Sequence, residues 1–150
     1  MKKDDMLEIT IEDISSDGSG VGKADGFALF VKDTIPGDQV KVKIMKMKKR
    51  YGYARLMEIL VPSPDRIQAP CPVARQCGGC QIQHLSYERQ LAFKENKVRN
   101  LLSRVGHVED YVMHPIIGME HPYYYRNKAQ FPIGADRDGM PCLLYTSDAA

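Results

Sequence analysis

The first sixty residues consist of short runs of alternating apolar and polar residues, separated by turns that contain glycine or proline. Leu7, Ile9 and Ile11 alternate with polar residues, and a second alternation begins at Val40. A period of two is the pattern of a strand with one buried face. Since the runs lie only a few residues apart and none has helical periodicity, this part of the chain predicts an all-β unit.

Two turns in this unit have sequences typical of defined geometries. Asp25-Gly26 suits a two-residue type I′ turn between strands at 21–23 and 27–31. Pro36-Gly37 suits a type II turn, because proline presets the first φ angle and glycine tolerates the positive second one. A last strand is expected over 53–59. Five short strands without a helix predict a small closed β-barrel of the OB type, whose outer face commonly binds nucleic acid.

Charge is distributed unevenly along the chain, although the formal net charge is only +2. Residues 1–40 contain four lysines and nine acidic residues, whereas residues 41–57 contain seven basic residues and no acidic one. A basic stretch attracts a polyanion by releasing its counterions, and neighbouring tyrosines offer faces for base stacking. The alternative is a solvated edge strand that its lysines protect from aggregation. The candidate nucleic-acid contacts in this stretch are Lys46, Lys48, Lys49, Arg50, Tyr51 and Arg55.

Prolines at positions 62, 64 and 70 mark the end of the barrel. Proline cannot donate to a strand ladder, and it disfavours a helical conformation for the residue before it. We therefore expect a barrel over 1–62, a linker over 63–70 and a second unit over 71–150.

The second unit contains one strong helix signal, over residues 87–105. Ser86 is a candidate N-cap and Gly106 a candidate C′ residue. Apolar residues at helical spacing form one face, which we expect to pack in a core. They are Leu91, Val98, Leu101, Leu102 and Val105.

Short strands are predicted beyond this helix, over 111–117 and 129–133. A turn is expected at 136–139, followed by a strand over 142–145 that lacks a partner. One helix with an unfinished sheet predicts an incomplete α+β domain after the barrel.

Neither a signal peptide nor a membrane span is visible in the sequence. Its start is charged, and its longest apolar run is far shorter than the roughly 20 residues that a membrane helix needs. We therefore expect a cytoplasmic protein with no membrane partner. The sequence does not define the oligomeric state, for which a monomer is the default expectation.

Three cysteines within ten residues, Cys71, Cys77 and Cys80, are the most chemically specific feature of the chain. Because the cytoplasm keeps thiols reduced, metal binding is expected rather than a disulfide. Gly78-Gly79 lets the backbone fold tightly around sulfur atoms. Three cysteines close together in the sequence, with a fourth cysteine ligand expected further along the chain, favour a [4Fe–4S] cluster. The alternatives are a Cys3His zinc site with His84 as fourth ligand, or reduced cysteines in a core.

Motifs along most of the chain resemble those of one enzyme family. The segments that together resemble a TRAM domain are 18–22, 25–31, 34–38, 54–60 and 62–66. Those that resemble the cluster-binding and central regions of RNA (uracil-5-)-methyltransferases, the 23S rRNA enzymes in particular, are 71–72, 77–85 and 124–132. The resemblance covers roughly residues 6–140 and is specific, because the motifs occur in the family's order.

This resemblance implies a TRAM barrel that binds structured RNA, with 23S rRNA as the expected substrate, and a central region that holds a [4Fe–4S] cluster through Cys71, Cys77 and Cys80. It also implies a C-terminal domain that binds S-adenosylmethionine. In the family, a cysteine adds to C6 of the target uracil, C5 takes the methyl group and a base removes the C5 proton. Because both catalytic groups belong to the C-terminal domain, we expect no catalytic or S-adenosylmethionine-binding residue here and an inactive chain.

Arg126 and Lys128 are further candidate RNA contacts, because they follow three tyrosines with surfaces suited to stacking. Cys142 lies where the family continues a strand, so it is a weaker candidate for the fourth cluster ligand. The tail 144–150 departs from the family. Two other functions stay open: a stand-alone RNA-binding module with a structural metal knuckle, and a zinc-stabilised adaptor that binds protein.

Overall fold

The computed structural model describes residues 1–77, 79–125, 127 and 133–143, with residues 76, 77, 142 and 143 described by their backbone alone. Over these residues the first unit contains β1 (Met6–Ile14), β2 (Gly20–Ala24), β3 (Phe27–Val31), β4 (Gln39–Met47) and β5 (Tyr51–Val61). The later elements are α1 (Ala74–Cys77), α2 (Tyr87–Asn100), a π-helical segment (Leu101–Val105), β6 (Ile133–Ala135) and β7 (Pro141–Leu143).

Strands β1 to β5 close into a barrel in the order β1-β2-β3-β5-β4, which confirms the predicted fold class. Neighbouring strands are antiparallel, except that β3 and β5 run parallel. Because the sheet closes on itself, its strands satisfy one another's backbone groups and leave no open edge.

Both predicted turns are confirmed. Asp25 and Gly26 have positive φ angles of 50° and 78°, as a type I′ turn requires. Gly37 has a φ angle of 91°, and the Asp38 N–H donates to the Ile35 carbonyl at 3.1 Å. The first turn places β2 beside β3 as its antiparallel partner, and the second lies in the connection that leads from β3 into β4.

The barrel core is built from aliphatic side chains that face inward at alternate positions. Leu29, Val40 and Val42 are fully buried, and Ile11 is nearly so. The wall is tight at Gly20, where a Cβ atom would lie 2.1 Å from the Thr34 hydroxyl oxygen. Only glycine therefore fits at this position without displacing β2.

The residues that follow β5 are held to the barrel by a buried ion pair. The Asp38 carboxylate accepts hydrogen bonds from the Ile35 and Ser63 N–H groups, both at 2.9 Å. Arg66 donates from Nε to the same carboxylate at 3.0 Å, and from its terminal nitrogen to the Asp33 carbonyl at 2.9 Å. Burial raises the pKa of Asp38, but the donors together outweigh it and hold this pKa below its ordinary value.

The helix begins where it was predicted, at Tyr87, but its end differs from the prediction. Ser86 occupies the N-cap position, as expected, but its side chain makes no capping hydrogen bond. Regular α-helix ends at Asn100 and a π-helical segment follows, in which the Gly106 N–H donates to the Leu101 carbonyl. Gly106 has a φ angle of −81°, and the left-handed residue is His107. The predicted C′ position was therefore one residue too early.

The apolar face of this helix is only partly covered, although we expected it to pack in a core: Leu91 and Leu102 are half-buried and the other three residues are exposed. Val98 and Leu101 are about half exposed, and Val105 is 71% exposed. One contact between α2 and the first unit is polar, because Lys97 Nζ donates to the Ser16 carbonyl at 3.1 Å. Leu101 and Val105 line a cleft of about 450 Å³ together with Ile14 and Pro36, so this face lies beside the first unit without packing closely against it.

The strand predictions for the last part of the chain were partly wrong. Residues 111–117 form no strand. The strand predicted over 142–145 does have a partner, because β7 pairs antiparallel with β6. The turn at 136–139 between them is confirmed. Of the strand predicted over 129–133, only residue 133 lies within the described part.

Candidate nucleic-acid interface

The β4–β5 hairpin contains most of the predicted nucleic-acid contacts. Its turn is closed by a hydrogen bond from the Lys48 N–H to the Tyr51 carbonyl at 2.8 Å. Lys48, Lys49 and Arg50 lie at the tip, where all three are exposed. We refer to residues 46–55 as the basic hairpin.

A β-bulge determines which way Lys46 faces. Along β4 the even-numbered residues face the core as far as Ile44, so strict alternation would turn Lys46 inward. The register instead pairs Ile44 with Ala54 and Lys46 with Tyr53, which makes Met45 an extra residue. Lys46 therefore lies opposite Tyr53 on the outer face of the barrel.

The positive charge of the basic hairpin is not neutralised nearby. Lys43, just before it, pairs with Asp4 at 2.9 Å. Directly opposite Lys43 lies Arg55, a like charge on the same face. Within the described part of the chain, no ion pair is made by Lys46, Lys48, Lys49, Arg50 or Arg55. This group of cations creates a positive surface suited to a polyanion.

Three aromatic rings lie together beside these cations, on the outer face of β3 and β5. The ring centres of Phe30 and Tyr51 are 5.5 Å apart, and those of Tyr51 and Tyr53 are 5.6 Å apart, both pairs edge to face. Phe30 and Tyr53 are register partners with ring centres 5.9 Å apart. We refer to these three residues as the aromatic cluster.

The two tyrosine side chains of the cluster also interact through their polar ends. A hydrogen bond between the side chains of Tyr53 and Tyr51 raises the pKa of Tyr53, and the nearby Asp17 carboxylate adds to this shift. Asp17 itself accepts a hydrogen bond from the Ser15 hydroxyl, which lowers the pKa of Asp17. The Tyr53 phenol therefore stays neutral and able to donate.

The cysteine motif lies beside the barrel, around the short helix α1. The Cys71 N–H donates to the Gln83 side chain at 3.3 Å, which ties the start of the motif to the residues after its end. Cys71 is half-buried and Cys80 is exposed. The side chain of Cys77 lies outside the described part, and no group of three metal-ligating side chains is found within that part.

A small cleft beside the cysteine motif contains His84. The cleft measures about 150 Å³ and is also lined by Cys80, Gln83, Arg66 and Asp33. Burial and the positive charge of Arg66 lower the pKa of His84, so its imidazole is neutral at pH 7. The buried Nε2 atom has no hydrogen-bond partner among the described residues. His84 therefore has one ring nitrogen with capacity for another ligand.

The structure brings together the six predicted contacts on the β4–β5 hairpin, but Arg126 and Lys128 lie outside the described residues. Phe30 was missed by the sequence reasoning. Its position in β3, between the buried residues Leu29 and Val31, was the available signal, because alternation turns it outward.

Comparison with known proteins identifies the barrel. Residues 5–57 match the family model of the TRAM domain. These residues form a TRAM domain. The matched range includes the whole basic hairpin and the aromatic cluster, so both belong to the TRAM domain.

Homologues extend the similarity beyond the TRAM domain. The chain is 48% identical over 145 residues to an uncharacterized RNA methyltransferase of Halalkalibacterium halodurans, covering 97% of this chain and 32% of that protein. It is 49% identical over 134 residues to one of Listeria monocytogenes, covering 89% and 29%. These names confirm the resemblance to RNA methyltransferases. The chain spans about a third of the length of these relatives.

A solved structure is also similar. It is the tRNA (uracil-54, C5)-methyltransferase of Pyrococcus abyssi in complex with S-adenosyl-L-homocysteine. The identity is 30% and the TM-score 0.43, and the match covers 67% of this chain and 22% of that one. Separately, no helix in the described ranges is long and apolar enough to cross a membrane.

Proposed function

We propose that this chain is part of an RNA (uracil-C5-)-methyltransferase, and that its TRAM domain binds the RNA through the basic hairpin. The observation that supports this most directly is a group of five cations, on one hairpin of the TRAM domain, that make no ion pair with any described residue. Homologues named RNA methyltransferases supply the reaction class. The choice of uracil C5, and of 23S rRNA as substrate, rests on the motifs at 77–85 and 124–132.

In this proposal the described residues bind and orient RNA, and the chemistry belongs to other parts of the full-length enzyme. S-adenosylmethionine supplies the methyl group. Addition of a thiolate at C6 makes C5 of the uracil nucleophilic enough to accept it. We infer that the 150-residue chain alone is inactive, so methyl transfer from labelled S-adenosylmethionine to rRNA by this chain would refute that part.

We also propose that Cys71, Cys77 and Cys80 hold a [4Fe–4S] cluster in the full-length enzyme. Three thiols around a Gly-Gly pair in the sequence are a donor set that suits iron–sulfur clusters, and the Gln83 contact holds Cys71 near the end of the motif. A cluster at this position ties the region after the TRAM domain together through metal–ligand bonds.

Anaerobic purification tests the cluster. We expect a brown protein that bleaches on reduction. Cys80→Ser should lose the colour. Cys142→Ser tests whether Cys142 is the fourth ligand of the cluster. A colourless protein that contains zinc would contradict the proposal and favour the Cys3His site with His84.

The RNA contact is tested by replacing Lys48, Lys49 and Arg50 with alanine and measuring RNA binding over a range of salt concentrations. Each phosphate contact contributes roughly 0.7 to 0.9 to the slope of log affinity against log salt. We expect the triple variant to bind more weakly across sequences, with a slope smaller by about 2.

The matched control replaces Lys2, Lys3 and Lys94, which removes the same charge from exposed positions outside the basic hairpin. We expect this control to keep most of the parent's affinity and slope. Equal losses of affinity in both triple variants would show that net charge alone explains binding. An unchanged affinity of the hairpin variant would mean that these side chains are solvated and do not contact RNA.

A further inference from the structure

We propose that the aromatic cluster is a stacking site for an unpaired base, which makes the TRAM domain prefer single-stranded RNA to duplex RNA. This inference rests on the proposed RNA binding and specifies its substrate. The cations of the basic hairpin cannot make this distinction, because both forms of RNA present phosphates. The faces of bases are accessible only where the bases are unpaired.

The exposure of the rings fits such a site. Tyr51 is 36% exposed and Tyr53 is 44% exposed, so neither ring is committed to the barrel core. Exposed aromatic rings beside uncompensated cations are the combination that single-stranded nucleic-acid binders use, with rings for the bases and cations for the backbone.

The rings are also held in a fixed arrangement before any ligand binds. Phe30 and Tyr53 are neighbours on adjacent strands, and the Tyr51 ring stands nearly perpendicular to both, at 80° and 85°. A site ordered in advance loses less conformational entropy when a base stacks on it.

The charges around Tyr53 indicate on which side of the ring the phosphate of a bound nucleotide lies. Lys46 lies opposite Tyr53 on the same face, so it can reach the phosphate of a nucleotide whose base stacks on that ring. The Asp17 carboxylate also acts on Tyr53, and it repels phosphate. The backbone of the RNA is therefore expected to run on the Lys46 side of the cluster.

The test compares binding of a labelled 12-nucleotide oligouridine and of a 12-base-pair RNA duplex to the full chain and to Tyr53→Leu. We expect Tyr53→Leu to lose about tenfold in affinity for the oligouridine without a change in salt slope, and to change duplex binding less than twofold. Tyr53→Phe keeps the ring and should bind the oligouridine within about threefold of the parent. Because Tyr53 is exposed, these variants are expected to fold as the parent does.

Quenching of the parent's tyrosine fluorescence gives a second measurement that needs no variant. Quenching by the oligouridine and not by the duplex supports stacking. Equal losses on both RNAs, no loss on the oligouridine, or no quenching would overturn this inference while leaving the RNA-binding proposal intact. A parent chain that binds neither RNA would overturn both.

Discussion

The barrel and the region that follows it place their apolar side chains differently. In the barrel, Leu29 and Val42 are fully buried within strands that close on themselves. In the following region, Leu101 and Val98 are about half exposed, on a helix with no buried residue. Both regions contain regular secondary structure, but among the described residues only the barrel encloses a core of its own.

This difference shows how closure and periodicity contribute separately to a fold. A helix satisfies its own backbone hydrogen bonds, so α2 can form without a packed face. A sheet satisfies its backbone only through neighbouring strands, and the barrel completes that set within residues 6–61. We therefore expect the stability of the described chain to reside in the barrel.

The same leucine-to-alanine change in the two regions tests this most strongly. Leu29→Ala removes a fully buried side chain and is expected to cost about 4 kcal/mol of unfolding free energy. Leu101→Ala, at a half-exposed position, should cost less than about 0.5 kcal/mol. Denaturant unfolding followed by circular dichroism measures both. Similar costs would mean that the helix face is packed as well as the barrel core.

A pair of arginine variants tests the junction between the two regions. Arg66→Met leaves the buried Asp38 carboxylate without its guanidinium partner and should cost about 3 kcal/mol. Arg75→Met breaks an exposed ion pair with Asp33, 3.2 Å long, and should cost less than about 0.5 kcal/mol. If Arg66→Met were as mild as Arg75→Met, the buried ion pair would not be what holds the residues after β5.

The same buried ion pair should also make the unfolding free energy depend on pH, with a smaller effect than the arginine variants. The folded pKa of Asp38 is below its ordinary value, so its stabilising contribution is present above the unfolded pKa and is lost as the pH falls through the folded one. The stability difference between the parent and Asp38→Asn should therefore be largest near pH 7 and shrink below about pH 4. A difference that is constant from pH 7 to pH 3 would contradict this assignment.

The barrel was predictable from the sequence because its strands and turns are each specified by residues close together in the chain. Alternation at Leu7, Ile9 and Ile11 defines a strand, and the pairs Asp25-Gly26 and Pro36-Gly37 define turns in which glycine supplies a positive φ angle at no steric cost. The exposed helix face was not predictable, since periodicity shows that a face is apolar but not what covers it. For the same reason, alternation could not tell that residues 111–117 lack a strand to pair with.

The candidate site was predictable in part. The run of basic residues is visible in the sequence, but the outward direction of Lys46 depends on the bulge at Met45, which simple alternation contradicts. The contact of Phe30 with Tyr51 and Tyr53 depends on the parallel pairing of β3 with β5, which joins strands far apart in the sequence. Non-local pairing of this kind leaves no periodic signal.

Photo-crosslinking tests the central claim, that the outer face of the TRAM domain binds RNA, most directly. The full chain is irradiated with single-stranded RNA that contains 4-thiouridine, and the crosslinked peptides are identified by mass spectrometry. We predict that crosslinks concentrate in residues 46–55 and at Phe30. Crosslinks concentrated on α2, with none on the basic hairpin, would contradict the account.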